Sequence, residues 1–319
     1  KKTGKVIPKK STEIKISKIG IGFEKLDRDL FDPTKAYKHV EKLGVKWARL
    51  QSGWQRTERE KGVYNFGWLD DIVDNMIAIG IEPWLCLCYG NDLYSEEAKK
   101  YFYAAGVPPI HTEEERTAWY NYVKATVSHF KGRIHYYEVW NEPDLGCWKH
   151  GANVTEYIEF TKQTSTACKE ADPGCNVIGL ALGLKYDYAA DFMKSDVLQY
   201  IDGVSYHVYS VDEQVGKDRM NFFVEMRDKY KPELKIIQGE SGAQSRNDGS
   251  GAFQRSAWNR AKQAKYILRR LISDLQGEVM LASYFSCVDM AEALDGKVGD
   301  VSSYLDFGYF GVLSAEFDE

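Results

Sequence analysis

The chain has 319 residues, of which 44% are hydrophobic and 28% are charged, and its formal net charge is -5 at pH 7. No apolar run approaches the roughly 20 residues that cross a bilayer, and the interleaved charges leave no basic stripe for a phosphate backbone. We therefore expect neither a membrane nor a nucleic-acid partner. One domain over residues 1–319, with 1–16 as an N-terminal extension, is the simplest division of the chain.

Strand-like and helix-like segments alternate along the chain, which is typical of βα units around a parallel sheet. The predicted strands cover residues 19–23, 47–50, 83–88, 135–140, 176–182, 204–209, 234–240 and 279–287. The predicted helices cover residues 33–43, 68–79, 112–130, 155–171, 188–194, 214–229 and 254–275. This order predicts an α/β (β/α)8 TIM barrel that lacks, or is truncated at, its eighth helix. Either one side of the barrel is open or the natural chain continues past Glu319, and we favour the second.

Two long segments follow predicted strands, at residues 89–112 and 241–252. The second is rich in Gly, Ser and Asn, which favours a mobile loop. Both leave the carboxyl ends of their strands, where barrels carry their catalytic groups and specificity elements. We expect these loops to decide whether a substrate is held at its end, between walls, or along a trench.

The six cysteines have none of the paired spacings that bind zinc, so most of them are predicted to be buried thiols. Cys168 and Cys175 bracket a predicted helix end and could form a disulfide in an oxidising compartment. The first four residues, Lys-Lys-Thr-Gly, look like a trimmed start. This start fits a secreted or periplasmic protein.

Residues 135–143 are the most informative segment of the chain, because a buried strand there ends in Asn141 and Glu142. Pro143 then prevents further pairing, so Glu142 is expected at the catalytic mouth of the barrel. The seventh strand ends in a second carboxylate, Glu240. Strands four and seven lie across the mouth from each other, so the two carboxyls could converge on one substrate atom. Hydrolysis of a glycosidic bond with retention needs two carboxyls about 5 to 5.5 Å apart.

The motifs around these residues resemble the retaining β-glycoside hydrolases of clan A, and most closely glycoside hydrolase family 39 and its relatives. The matching segments read Glu-Val-Trp-Asn-Glu-Pro at 138–143, Ser-Tyr-His-Val-Tyr at 205–209, Trp-Ala-Arg-Leu at 47–50 before Trp54, and Glu-Lys-Gly-Val-Tyr-Asn-Phe at 60–66. The resemblance covers nearly the whole chain. It departs from the clan at the eighth strand, where Ser-Tyr-Phe-Ser at 283–286 stands in place of a tryptophan.

The resemblance implies a role for each matching residue. Glu142 would be the general acid and base, and Glu240 would be the nucleophile. Arg49 would keep Glu240 ionised, although it could equally pair with Glu138 inside the barrel. Asn141 would donate to the sugar 2-hydroxyl. The remaining expected substrate-binding residues are His207 and Tyr209, which would line the subsite, and Trp54, Trp148 and Phe285, which would stack on the sugar.

The sequence therefore predicts a retaining β-glycoside hydrolase that acts on a plant or microbial polysaccharide or oligosaccharide and needs no metal or organic cofactor. Family 39 β-xylosidases remove single sugars from the end of a chain, whereas related exopolysaccharide hydrolases cut within a chain. The sequence does not distinguish between these two actions. The alternative is a barrel that binds carbohydrate without turnover. Binding alone has no need for an acid opposite a nucleophile, so the two glutamates argue against it. Two of the expected substrate-binding residues also have a purely structural interpretation. His207 could be a hydrogen-bonded histidine of the core, and Trp148 could only pack in the core.

Overall fold

A computed structural model describes residue 4 and residues 7–254, 256–292, 306–314 and 317. Eight parallel strands form a closed barrel in chain order. They are Ile19–Gly22 (β1), Trp47–Gln51 (β2), Glu82–Leu87 (β3), Tyr136–Val139 (β4), Asn176–Leu182 (β5), Gly203–His207 (β6), Lys235–Ser241 (β7) and Leu281–Tyr284 (β8). The predicted barrel is confirmed. Its sheet has no open side, because Ile19 of β1 pairs with Ala282 of β8.

Eight α-helices surround or connect these strands in the part of the chain that is described. They are Tyr37–Val40 (α1), Trp54–Thr57 (α2), Gly67–Ala78 (α3), Glu113–Phe130 (α4), Val154–Ala171 (α5), Tyr186–Lys194 (α6), Glu213–Tyr230 (α7) and Arg260–Leu275 (α8). None of the helices described is long and apolar enough to cross a membrane. Between β8 and residue 317, the described residues 285–292, 306–314 and 317 contain no helix.

The helix starts follow local capping chemistry. The Thr112 hydroxyl oxygen accepts a hydrogen bond from the Glu115 amide, and the Glu115 carboxylate accepts one from the Thr112 amide, so α4 begins as predicted. The predicted helix at 254–275 starts later, at Arg260, because the Asn259 side chain accepts a hydrogen bond from the Lys262 amide. The predicted helix at 33–43 is also divided. Only its centre, α1, is α-helical, between two 3-10 turns at Pro33–Lys35 and Glu41–Leu43.

The last predicted strand is shorter than expected, and a small antiparallel sheet follows it. This sheet pairs Met290–Glu292 (β9) with Asp306–Gly308 (β10), and the sequence did not indicate it. All six cysteines are free, and all but Cys147 are buried. The prediction of buried thiols is thus confirmed for five of them, while Cys168 and Cys175 form no disulfide in the structure.

The barrel interior changes from apolar to charged along the strands. Near the amino ends, a buried cluster of Trp84, Ile178, Ile237 and Leu281 fills the space between β3, β5, β7 and β8. Farther along, Arg49 is fully buried and contacts Trp84 from above its ring, with 5.6 Å between the guanidinium carbon and the ring centroid. The apolar floor therefore supports a charged layer at the carboxyl ends of the strands, which is the catalytic end of such barrels.

Candidate active site

Glu142 lies in a tight turn directly after β4. Its own φ is 45° and that of Trp140 is 67°, both in the left-handed region that non-glycine residues seldom adopt. Such angles cost about 1–3 kcal/mol each and persist only where neighbouring contacts hold them. The Trp140 amide donates to the carbonyl of Leu87, and the Glu142 amide donates to the carbonyl of Ala181. The turn is thus fastened to both adjacent strands, which aims the Glu142 carboxyl into the barrel mouth.

Asp144 fixes the same turn from its other end. Its buried carboxylate accepts hydrogen bonds of 2.7 to 2.8 Å from the amides of Gly183, Leu184 and Lys185. These three amides belong to the loop that follows β5. Charged acceptors make stronger hydrogen bonds than neutral ones, so Asp144 joins the two loops into one rigid support for Glu142.

Glu240 is aimed by an irregularity in the sheet. The pairing of β6 with β7 shifts between Tyr206 and His207, so that His207 lies opposite Glu240 rather than Gly239. Such bulges often re-aim a side chain next to an active site. The Glu240 carbonyl still accepts a hydrogen bond of 2.9 Å from the Val208 amide, which keeps the strand end in place.

Arg49 is the centre of the charged layer. Its Nη1 lies 3.0 Å from Oε2 of Glu240 and 3.2 Å from Oε1 of Glu24. Its Nε donates to Glu138 Oε2 at 2.8 Å, and its Nη2 donates to Asn141 Oδ1 at 2.8 Å. Both pairings considered for Arg49 are therefore present at once, because the guanidinium contacts Glu138 and Glu240 together.

The two candidate catalytic carboxyls face each other across His207 and Tyr209. The Tyr209 hydroxyl donates to Oε1 of Glu240 at 2.5 Å. Nδ1 of the fully buried His207 lies 2.9 Å from Oε1 of Glu142 and 3.7 Å from Oε2 of Glu240. One oxygen of each carboxyl and a ring nitrogen of His207 all lie within 4.8 Å of one another. This closeness is compatible with the carboxyl spacing of about 5 to 5.5 Å in retaining glycosidases.

The surroundings favour an ionised Glu240. Burial raises the pKa of this carboxyl, but the charges of His207 and Arg49 and the Tyr209 hydrogen bond outweigh it, so the pKa is lowered from its ordinary value. Burial lowers the pKa of His207, while Glu240 and Glu142 raise it above its ordinary value. The pKa of Tyr209 is raised well above its ordinary range by burial and by Glu240, so its hydroxyl stays a donor.

A cavity of about 510 Å³ opens over these groups. Six of the nine predicted site residues line it, namely Arg49, Asn141, Glu142, Tyr209, Glu240 and Phe285. His207 is buried beneath them and reaches the site through Nδ1. Both predicted loops contribute to the walls, with Ala105 and Gly106 from one and Gly251 and Ala252 from the other.

Trp54 and Trp148 correct the sequence prediction, because both are core residues and neither is among the described residues that line the cavity. Trp54 is 1% exposed and stacks between Tyr94 and Tyr122. Trp148, also 1% exposed, packs edge-on against Trp140. Neither ring presents a face to a sugar. The sequence could not reveal this, since Trp54 and Trp148 both follow barrel strands and nothing local in the sequence tells whether such an indole faces the core or the cavity.

Several cavity residues were not predicted from the sequence. They are Glu24, Lys25, Arg28, Gln51, Tyr89, Lys149, Arg219, Met290 and Phe310, among others. For Glu24 and Gln51, the sequence did contain a feature that points to the cavity. They stand at the carboxyl ends of β1 and β2, so the rule that pointed to Glu142 and Glu240 applies equally to them. Phe310 and Met290 belong to the segment after β8, whose course has no local sequence signature.

Glu142, His207 and Glu240 are close enough to hold a metal ion by distance alone. However, both oxygens of Glu240 already accept hydrogen bonds, one from Tyr209 and one from Arg49. A guanidinium 3.0 Å from the carboxylate would repel a cation placed there. The arrangement is suited to proton transfer and nucleophilic attack between two carboxyls.

A family model described as glycosyl hydrolases family 39 matches residues 33–299. The chain belongs to this family. The membership confirms the resemblance seen in the sequence, and the predicted class of glycoside hydrolase agrees with it. The family model covers every predicted site residue, from Arg49 to Phe285.

Three similar proteins illustrate the comparison. The chain is 31% identical over 162 residues to a β-xylosidase of Geobacillus stearothermophilus, a match that covers 47% of this chain and 31% of that protein. The solved GH39 enzyme from Xanthomonas axonopodis pv. citri superposes with a TM-score of 0.70 at 19% identity, over 94% of this chain and 63% of that one. A monomeric β-xylosidase from Caulobacter crescentus CB15 gives 0.69 at 19% identity, over 94% and 65%. The two solved structures support the fold alone, and the chain spans less than two thirds of the length of each of these three proteins.

Proposed function

We propose that this family 39 chain hydrolyses a β-linked glycoside with retention, with Glu240 as the nucleophile and Glu142 as the acid and base. One observation carries the proposal: the Glu142 and Glu240 carboxyls line a common cavity, and His207 Nδ1 lies 2.9 Å from one and 3.7 Å from the other. Their different partners suit different roles. Glu240 is held by a cation and a hydroxyl, whereas Glu142 has the more exposed side chain, 20% against 12%.

In the first step, Glu240 attacks the anomeric carbon while Glu142 gives its proton to the departing oxygen. The glycosidic bond breaks, a bond forms between the sugar and Oε of Glu240, and the leaving group departs as an alcohol. Arg49 and Tyr209 keep Glu240 ionised before the attack. The same two contacts support its departure later, when the carboxylate charge returns.

In the second step, the Glu142 carboxylate takes a proton from water, and the hydroxide portion attacks the anomeric carbon from the face that the leaving group left. The bond to Glu240 breaks, and two inversions give net retention. Asn141 is fixed by the bond from Arg49 to its Oδ1, so its Nδ2 is the donor available for the sugar 2-hydroxyl. This hydrogen bond strengthens as positive charge develops on the sugar ring.

A β-xyloside is the first substrate that we propose, because two proteins similar to this chain are β-xylosidases. Walls from both long loops line the cavity, which favours action at the end of a plant or microbial oligosaccharide. Plant and microbial polysaccharides, the source of such oligosaccharides, lie outside the cell. The proposal therefore includes a secreted or periplasmic location.

Proton NMR of the sugar first released from an aryl β-xyloside tests this function. We expect the β-anomer to appear first and the α-anomer to follow by mutarotation. An α-anomer released first would overturn retention. Absence of hydrolysis across a panel of aryl β-glycosides and β-linked polysaccharides, together with measurable oligosaccharide binding, would favour the alternative of a binding barrel without turnover.

A further inference from the structure

One side of the cavity is formed by exposed apolar side chains. Leu145, Leu184 and Val215 all line the cavity there, and we call these three residues the apolar wall. Leu184 is 61% exposed and Val215 is 38% exposed. A second apolar group of the cavity is at most 9% exposed and consists of Phe285, Met290 and Phe310. Single exposed apolar residues are common, but several that share one side of a cavity form a surface for a ligand.

The apolar wall begins at the turn that carries Glu142. The Leu145 amide donates to the Glu142 carbonyl at 3.0 Å. The Leu145 side chain packs on Gly183 so closely that a side chain at position 183 would collide with it. Leu184 follows Gly183 directly in the chain. The proposed acid and base is therefore the catalytic carboxyl that adjoins this wall.

Arg219 holds Val215 against the same loop. The two residues are four positions apart in α7 and thus share one face of the helix. Arg219 donates from Nη1 to the Gly183 carbonyl at 2.8 Å and from Nη2 to the Leu184 carbonyl at 3.4 Å. Its Nε is buried, and the whole residue is only 3% exposed. Arg219 therefore ties α7 to the loop and offers a ligand little polar surface.

The backbone of this loop has few polar groups left for a ligand. The amides of Gly183, Leu184 and Lys185 donate to Asp144. The carbonyls of Gly183 and Leu184 accept from Arg219. A second sugar at this wall would give up hydrogen bonds from its hydroxyls to water and gain few from the loop in return. An apolar group would instead gain free energy by covering the exposed leucine and valine side chains.

Different side chains surround the proposed nucleophile. The cavity residues within or just after β1 and β2 are all polar, namely Glu24, Lys25, Arg28, Arg49 and Gln51. Arg49 joins this side to Glu240 at 3.0 Å. Glu240 attacks the anomeric carbon and Glu142 protonates the leaving oxygen, so the glycone is held near Glu240 and the aglycone near Glu142. The polar side therefore suits a hydroxylated glycone, and the apolar wall faces the aglycone.

We propose that the apolar wall binds an apolar aglycone, so that the preferred substrates are β-glycosides of alkyl or aryl alcohols. This inference rests on the proposed function and narrows it, because it ranks such a glycoside above an oligosaccharide with the same glycone. The chemistry is unchanged. Glu142 protonates the departing oxygen, the glycosidic bond breaks, and the alcohol leaves along Leu145, Leu184 and Val215.

A series of alkyl β-xylosides tests the wall, because the leaving alcohols have nearly equal acidity and differ in apolar length. The kcat/KM is measured for methyl, butyl and hexyl β-xyloside and for xylobiose, with the wild type, Leu184→Ser and Val215→Ser. If the aryl panel identifies another glycone, the series carries that sugar. For the wild type we expect kcat/KM to rise about twofold for each added methylene, as half-burial of each group gives, and to be higher for the hexyl glycoside than for xylobiose.

Each serine variant should lower the ratio of kcat/KM for hexyl to that for methyl β-xyloside by about 5- to 10-fold. This ratio does not depend on the fraction of the enzyme that is folded. Val211→Ser is the matched control, since Val211 is 63% exposed but is not among the described residues that line the cavity. It should leave the ratio unchanged.

Three results would overturn the inference while the proposed function stands. They are equal kcat/KM across the alkyl series, faster hydrolysis of xylobiose than of hexyl β-xyloside, and a wild-type ratio in both Leu184→Ser and Val215→Ser. The second of these would mean that the wall binds a second sugar. If the wild type hydrolyses none of these glycosides and none of the aryl panel, the proposed function fails, and this inference fails with it.

Discussion

Nη1 of Arg49 lies 3.0 Å from Oε2 of Glu240, inside a barrel where Arg49 is fully buried. The same guanidinium also bonds to Glu138 through Nε and Nη2. A planar group with five donors can make these contacts together, whereas the ammonium of lysine cannot. We therefore expect both the ionisation of Glu240, the proposed nucleophile, and the stability of the barrel to depend on the Arg49 side chain.

Arg49→Lys should consequently affect activity and stability together. We expect kcat/KM to fall by about 100-fold or more and the free energy of unfolding to fall by about 3 kcal/mol, because Glu138 loses a buried partner. Arg133→Lys is the control, since Arg133 pairs with Asp70 and Asp74 at the surface. It should change the free energy of unfolding by less than about 1 kcal/mol. Normal kcat/KM in Arg49→Lys would refute the role of Arg49.

Tyr209→Phe should move the acidic limb of the pH profile. Glu240 must be ionised to attack, so activity falls as the pH drops through its pKa. Because Tyr209 helps to hold that pKa low, its loss should shift the limb of kcat/KM to higher pH by up to about one unit. Tyr206→Phe, in the strand β6 that leads to Tyr209, is the matched control, since the buried hydroxyl of Tyr206 has no partner among the described residues. Equal profiles for the two variants would contradict the assignment.

Trp54→Ala tests whether Trp54 packs in the core or stacks on a bound sugar. Trp54 is buried against Tyr94 and Tyr122, so we expect its removal to lower the free energy of unfolding by about 3–5 kcal/mol without raising KM. Phe285→Ala should instead raise KM, because Phe285 lines the cavity. Denaturant unfolding and steady-state kinetics on both variants measure the difference. A raised KM with normal stability in Trp54→Ala would restore the stacking role.

Glu24→Gln should change how stability depends on pH. The pKa of Glu24 is raised from 4.5 to about 7, so between these values the native state binds a proton that the unfolded state has released. The free energy of unfolding of the wild type therefore falls as the pH rises from 4.5 to about 7. Above this range, the destabilisation that comes from ionising the buried Glu24 is complete. Among the described residues, the charged or titratable groups that interact with Glu24 include Arg49, Glu240, Tyr209 and Cys287.

The glutamine cannot ionise, so this variant should gain stability relative to the wild type as the pH rises from 4.5 to 8, by up to about 3 kcal/mol. Urea unfolding of both proteins across this range measures the change with pH, which is independent of any constant loss from the weaker Arg49 contact. Parallel curves for the two proteins would mean that Glu24 titrates alike in the native and unfolded states.

Much of the fold was predictable, because barrel strands and helices carry strong local signals. Thr112 and Glu115 form the capping box that marks the start of α4, and Gly80 adopts the left-handed conformation that ends α3. The start of α8 was less clear. The apolar pattern continues upstream of Asn259, and only the cap geometry shows where the helix begins.

The site was predictable where a strand ends in a functional group, as at Glu142 and Glu240. The same rule would have found Glu24, but no motif drew attention to it. Trp54 and Trp148 were misjudged because sequence identifies an aromatic residue without saying which way it faces. The shared contacts of Arg49 depend on strands far apart in sequence, so only the closed barrel reveals them.

The most direct test compares chemical rescue of Glu240→Ala and Glu142→Ala by azide, with an aryl β-glycoside that carries a 2,4-dinitrophenyl leaving group. In Glu240→Ala, azide replaces the nucleophile, so we expect the α-glycosyl azide. In Glu142→Ala the covalent intermediate still forms, and azide should intercept it to give the β-glycosyl azide. Opposite anomers from the two variants would establish both roles. The same anomer from both, or wild-type hydrolysis by Glu240→Ala without azide, would contradict the mechanism.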